Sequence, residues 1–190
     1  MYTPLLHHIK KFIQLDADDI QQIIPYLEYN KLKKKELLLQ QGELCNKQYF
    51  IVKGCCRMYI NNEKGQEQTT QFAIENWWIT DYLGFHNHST TDFNIQAIEE
   101  TEIVSIDSSA FEELLAKVPK LERYFRLILQ KAFGASQFRI KFLFTLSAEE
   151  RYHHFNNLFP DFVQRVPQYM IASYLDFSPE FLSKIRAGKL

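Results

Sequence analysis

Near the C-terminus, Ser178-Pro-Glu-Phe-Leu-Ser-Lys-Ile-Arg186 interleaves apolar anchors with polar and cationic side chains at helical spacing. Ser178 is suited to cap a helix, Pro179 to occupy its first position, and Glu180 to complement the positive end of its dipole. Phe181, Leu182 and Ile185 would hold such a helix against a neighbour. Pro179, Glu180, Ser183, Lys184 and Arg186 would then face outward. Short polar and cationic groups on a helix held by its other face can hydrogen-bond to base edges and pair with phosphates in the major groove of double-stranded DNA. Glu180 can accept from a cytosine amino group, and Lys184 can donate to guanine or to phosphate. From Ser178 to Leu190 three basic residues, Lys184, Arg186 and Lys189, stand against one acid, Glu180.

The preceding stretch supplies the neighbour. Met170, Ile171 and Leu175 form one apolar helical face, and Ala172 is small enough for two helices to cross closely. Asp176-Phe177 makes the turn, at a position where φ is often positive and glycine is common; Asp tolerates it. The pattern is a helix-turn-helix. An ordinary αα-hairpin with a solvated face is the plainer alternative.

Other chemistry is weakly supported. On a strand, His86-x-His88 would put both imidazoles on one face, with Asp92 as a third metal ligand, as in a cupin-like metalloenzyme. The glycine framework of such enzymes is absent, and Gly84 to Thr91 reads as loop, so surface histidines explain the pair more simply. Cys45, Cys55 and Cys56 have neither the spacing of a zinc site nor the number for an iron–sulfur cluster, and adjacent Cys55 and Cys56 should point to opposite faces of a strand. No spacing among Cys45, His7, His8, His153 and His154 specifies haem ligation. The sequence has no nucleophile elbow, P-loop or HExxH. The expectation is a non-enzyme with no cofactor and no metal.

The elements that must position the reading helix follow from patterning. The chain has 190 residues, 46% of them hydrophobic, and a formal net charge of −1. That charge excludes a uniformly basic coat but not a local basic patch. No apolar run approaches a membrane span and no signal-peptide stretch follows Met1, so a cytoplasmic protein without a membrane partner is expected. Residues 4–27 look helical, with Asp16 as a cap. From about Tyr29 to Ile106, short β-rich runs alternate with turns such as Lys53-Gly54, which suggests a jelly roll. Ser108 or Ser109 can cap a helix ending near Pro119. A long helix then runs to about Thr145. In it, Leu121, Phe125, Ile128, Ala132 and Ala135 fall at 4-3-4-3 spacing, the signature of a dimer seam. Burial of the same stripe against the chain's own roll is the alternative. Ser147-Ala-Glu-Glu150 is a capping box that starts another helix, which should end near Leu158.

In this order of elements the whole chain resembles the Crp–Fnr superfamily of transcription regulators. The residues that carry the likeness are Phe50-Ile-Val-Lys-Gly54, Ala148-Glu-Glu-Arg151-Tyr152 and Ile171 through Arg186. The resemblance implies an α+β fold: an N-terminal double-stranded β-helix (jelly-roll) sensor domain over residues 1–118, a long dimerisation helix over 119–146, and a C-terminal all-α helix-turn-helix domain over 147–190. It also implies a homodimer on a palindromic operator, an unidentified small effector, and RNA polymerase as a conceivable further partner. Two departures stand out. The phosphate cassette of cyclic-AMP binders, aligned without gaps, falls on Thr80-Asp81-Tyr82 and Thr91-Asp92, so the phosphate-pairing arginine is replaced by Thr91. A buried phosphodiester would lose its cation there and meet Asp92 instead, and cyclic AMP should not bind tightly. Trp77 and Trp78 either wall the pocket or fill the roll. The candidate effector residues are Trp78, Asp81, Tyr82, Thr91 and Asp92. Second, the sequence stops at Leu190, so a full wing is expected to be lacking. Phosphate contacts would then come from the basic long helix and Arg165.

Overall fold

The computed structural model describes residues 1–188; Lys189, counted above among the basic residues, lies outside the described residues with Leu190. The chain opens with α1 (Thr3–Lys10), α2 (Ala17–Ile23) and a 3-10 turn (Ile24–Tyr26). Strands β1 (Glu28–Leu32), β2 (Leu37–Leu39), β3 (Lys47–Lys53), β4 (Cys56–Asn61), β5 (Glu67–Ala73) and β6 (Trp78–Ile79) follow, then α3 (Tyr82–Asn87), β7 (Asn94–Ala97) and β8 (Thr101–Asp107). The rest is helical: α4 (Ser108–Lys117), α5 (Lys120–Thr145), α6 (Ala148–Leu158), α7 (Pro160–Arg165), α8 (Gln168–Leu175) and α9 (Pro179–Arg186). Contacts divide the chain into two compact units, Met1–Ile60 with Gln71–Leu129, and Asn61–Thr70 with Gln130–Leu190.

The first unit is the β-roll. One sheet has strand order β1-β8-β3-β6 and the other β2-β7-β4-β5, with antiparallel registers such as Tyr49 opposite Ser105 and Met58 opposite Ile95. Because side chains alternate along a strand, each sheet sorts its residues onto two faces. Tyr49, Ile51, Cys56, Met58, Ile79, Ile95 and Ile103 meet between the sheets as one core cluster. Phe50, Trp78, Val104 and Ile106 belong to a second cluster with Leu5 and Ile9 of α1, Leu114 of α4, and Leu121, Tyr124 and Phe125 of α5. The Lys53-Gly54 turn is tight. Gly54 has φ +99°, and a Cβ there would lie 2.6 Å from the Glu100 carbonyl oxygen, so only glycine fits.

The local capping signals hold. Asp16 accepts from the Asp19 N–H and Ser147 from the Glu150 N–H, each within a reciprocal capping box. Three readings need correction. The cap of α4 is Asp107, whose carboxylate accepts from the Ser109 N–H at 2.9 Å, rather than Ser108 or Ser109. The expected loop from Gly84 begins as helix, because Asp81 caps α3 through the Leu83 and Gly84 N–H groups. Helix α7, opened by Pro160, is an element that the sequence patterning does not anticipate.

Trp78 and Tyr124 form a buried polar chain within the second cluster. The Trp78 indole N–H donates to Tyr124 Oη at 2.7 Å, and His8 Nδ1 lies 2.8 Å from the same oxygen. Burial pushes the Tyr124 phenol well above its usual range, so it stays protonated and able to donate to His8. Tyr124→Phe keeps the ring packing but removes the oxygen that accepts from the Trp78 indole N–H. Leaving that buried donor unpaired should destabilise the fold by about 1–3 kcal/mol in urea unfolding. An unchanged midpoint would show that the chain contributes nothing.

Candidate nucleic-acid interface and sensor site

The helix pair α8–α9 is built as its residues require. Met170, Ile171, Ala172 and Leu175 of α8 are buried, as are Leu182 and Ile185 of α9. Asp176 ends α8 in the left-handed region, φ +62°, and the Phe177 N–H returns to the Ala172 carbonyl at 3.1 Å. Ser178 Oγ accepts from the Phe181 N–H at 3.2 Å, with Pro179 in the first turn. Anchored in this way, α9 leaves Pro179, Glu180, Ser183, Lys184 and Arg186 exposed on its other side. Hydrogen bonds from its own N–H and from Ser178 hold the Glu180 carboxyl below the usual carboxylate range. It therefore sits ionised at the helix N-terminus, where the dipole favours it.

The second unit ties α8 to its surroundings through side chains to which the sequence reading assigns no such role. The Arg139 guanidinium donates from Nη2 to the Tyr174 carbonyl at 2.9 Å, and its Cζ lies 4.5 Å from the centroid of the Tyr174 ring. Arg151 reaches the carbonyls of Leu143, Leu146 and Asp176. Ser173 hydrogen-bonds to the tip of the β4–β5 hairpin. Arg139, one of the basic residues of the long helix, is therefore turned into its own chain. These partners lie 25 or more residues away from α8's end, beyond the reach of any periodicity.

The expected dimer stripe is largely covered by the chain itself. Leu121 and Phe125 are buried in the roll's own outer cluster, and Ile128 packs against it. Only Ala135 of the five is exposed, with Ala132 half-buried. The apolar residues that α5 leaves uncovered are instead Leu129, Phe133, Ile140 and Phe144, the last 85% exposed. At 3.6 residues per turn this ridge lies roughly 100° around the helix from the expected stripe. Phe138, also exposed, lies on another side of the helix near Phe142.

The candidate effector residues are only partly brought together. Thr91 Oγ1 donates to Asp81 Oδ2 at 2.8 Å, and Asp81 Oδ1 accepts from the Leu83 and Gly84 N–H groups. Gly84 packs so closely that a Cβ would lie 2.8 Å from Asp81 Oδ2 and 2.9 Å from Cys45 Cβ. Tyr82 lies half-buried next to the cap, its phenol pushed up to about 12 by burial. Asp92 is exposed. Trp78 is not part of the roll interior at all: strand alternation puts it in the outer cluster, and its neighbour Ile79 faces inward. His86 lies in α3 and His88 is its left-handed C-cap, 3.2 Å from Ser108 Oγ, so the pair does not sit on a strand. The three cysteines are buried and form no disulfide among the described residues, and burial pushes the Cys56 thiol up to about 12.

The family model for the cyclic nucleotide-binding domain matches residues 29–118. The anaerobic regulatory protein of Pasteurella multocida is 28% identical over 141 residues, which is 72% of this chain and 50% of that protein. The solved structure of FixK2 from Bradyrhizobium japonicum superposes with TM-score 0.74 at 16% identity, covering 85% of this chain and 83% of that one. In domain, relatives and fold the chain is similar to the Crp–Fnr regulators. Another neighbour is CLP of Xanthomonas campestris, described as a c-di-GMP responsive global regulator, with TM-score 0.74 at 13% identity over 91% of both chains. At such identity the likeness in structure shows the Crp–Fnr fold alone. The chain spans about half the length of the first curated relatives it matches. Among the described residues no helix is long and apolar enough to cross a membrane.

Proposed function

We propose that this chain is a member of the Crp–Fnr family and a non-enzymatic transcription regulator that binds a palindromic operator in double-stranded DNA as a homodimer. The observation that carries this reading is the α8–α9 pair. Its apolar faces are buried against each other, and every side chain suited to base or phosphate contact is exposed on α9. Relatives named as anaerobic regulatory proteins support it. The ridge Leu129, Phe133, Ile140 and Phe144 supports a dimer, since a second copy of α5 would remove that surface from water. RNA polymerase is the partner that an activating role would require.

In this reading the roll senses a small effector other than cyclic AMP. Asp81 is satisfied by Thr91 and by the start of α3, and Thr91, buried at the arginine's aligned place, offers a phosphate no charge. Cyclic AMP at millimolar concentration is expected to leave the thermal midpoint unchanged. A ligand that binds the folded state at 100 times its Kd would add about 2.7 kcal/mol, which is easily seen. An upward shift of several degrees would overturn the exclusion.

The function itself is tested by selecting random duplex DNA with purified full-length protein and no added nucleotide. An enriched two-fold symmetric motif is the expected result. If neither the protein alone nor the protein with a panel of small effectors enriches any motif, the DNA-reading role fails.

A further inference from the structure

The last turn of α8, Ser173 to Asp176, is gripped from three sides within the second unit. The Ser173 hydroxyl accepts from the Thr69 N–H at 2.8 Å and donates to the Glu67 carbonyl at 3.0 Å. The Gln68 side-chain amide donates to the Ser173 carbonyl. Arg139 of α5 holds the next residue, Tyr174, by its carbonyl and its ring. Arg151 of α6 donates to the Asp176 carbonyl, in the turn that leads into α9.

The contact at Ser173 has a distinct chemistry. β5 is at the edge of its sheet, next to β4 on one side only. An edge strand presents N–H and C=O groups that seek partners. Here one hydroxyl serves a carbonyl and an amide two residues apart, as a neighbouring strand's backbone would. Thr69 is fully buried at this junction, so water cannot easily take the hydroxyl's place. Alanine at position 173 would supply neither half of the contact. Threonine would supply both.

We infer that Ser173 is a positioning residue for DNA reading: with the hairpin tip Glu67–Thr69 it forms a clasp that fixes α8, and through the Asp176 turn α9, before DNA is met. The inference rests on the proposed DNA-binding role. A reader ordered in advance loses less conformational freedom on binding, so the clasp should favour the operator complex, in which α9 must meet base edges in one orientation. Binding to unrelated DNA, which depends on charge rather than orientation, should be nearly insensitive.

The experiment compares wild type, Ser173→Ala and Ser173→Thr, using the duplex selected by the wild-type protein and a scrambled duplex of the same length. Amide hydrogen exchange at Thr69 is followed in the same samples without DNA. Ser173→Ala is expected to speed Thr69 exchange and to weaken operator binding about tenfold, within the usual range of coupling between sites. Scrambled-duplex affinity should change by less than about twofold. Ser173→Thr should restore both exchange protection and affinity. Faster exchange with unchanged operator affinity would overturn the positioning role and leave the DNA-reading function standing. Tighter operator binding by Ser173→Ala would overturn it too, because the clasp would then restrain the reader. Failure of the wild-type protein to select any duplex would remove the function and, with it, this role.

Discussion

Leu121→Ala is expected to destabilise the roll by about 2–5 kcal/mol and to leave its association state unchanged. Ile140→Glu is expected to do the reverse. The two residues are 19 positions apart on one helix, and of the two only Leu121 stands in the stripe read from the sequence. Leu121 is 1% exposed and sits with Tyr124, Phe125 and Leu114 in the outer cluster of the first unit. Truncating it removes buried methyl groups and leaves a cavity among aromatic rings that cannot easily collapse. Ile140 is 54% exposed and belongs to the ridge with Phe133 and Phe144. A glutamate there adds no burden to the isolated chain. Across a dimer seam it would bury a carboxylate next to its own symmetry mate, since an isologous interface repeats every change. A hundredfold or greater rise in the dimer dissociation constant is expected, about the effect of losing one interface hot spot. Light scattering gives the mass and urea unfolding gives the stability. Dimers of Ile140→Glu that persist at micromolar concentration would place the seam elsewhere. A monomeric Leu121→Ala with normal stability would restore the stripe read from the 4-3 spacing.

The burial of that stripe shows what patterning can and cannot decide. Helix α5 carries apolar residues on two faces. Tyr124, Leu121 and Phe125 meet the roll, while Leu129, Phe133, Ile140 and Phe144 stay outside. A spacing of four and three can be drawn through either set, and nothing in one sequence says which face the chain itself will cover. Strand parity fails in the same way at Trp78. The first sheet is covered on both faces, so alternation sorts Trp78 from Ile79 without naming the inside. Signals confined to one turn did much better. Asp16, Ser147 and Ser178-Pro179 each mark a helix start through atoms three residues away, and each cap is present. Asp81 carried the same kind of signal. Aligning it to a phosphate cassette made a ligand-binding group of a residue that caps α3 and accepts from Thr91. The outward face of α9 was legible because its buried and exposed positions follow from one short amphipathic helix. The grip on α8 was not, because Thr69, Arg139 and Arg151 reach it from distant parts of the chain.

Lys184→Ala and Arg186→Ala are expected to weaken operator binding by about 1–3 kcal/mol each if each side chain reads a base, roughly a 5- to 150-fold loss. Both side chains are exposed in the last turn of α9, with no ion-pair partner among the described residues. Removing either should therefore leave folding intact, and the thermal midpoint checks that. The sequence dependence of the weakening separates the two available roles. Deleting a base-reading side chain from both halves of a dimer should relax one position in both half-sites of the selected motif and leave the salt dependence nearly unchanged. Deleting a phosphate-pairing side chain should weaken all duplexes alike and reduce the slope of log affinity against log salt by about 0.9 per phosphate. Lys184 carries a flexible point charge, and Arg186 a planar fork that matches the O6 and N7 edge of guanine. Arg186→Lys should consequently cost most of what Arg186→Ala costs if the arginine meets a base, and little if it meets a phosphate. Affinity unchanged by the double substitution would mean that α9 does not enter the groove. The exposed face on which the functional reading rests would then have no part in recognition.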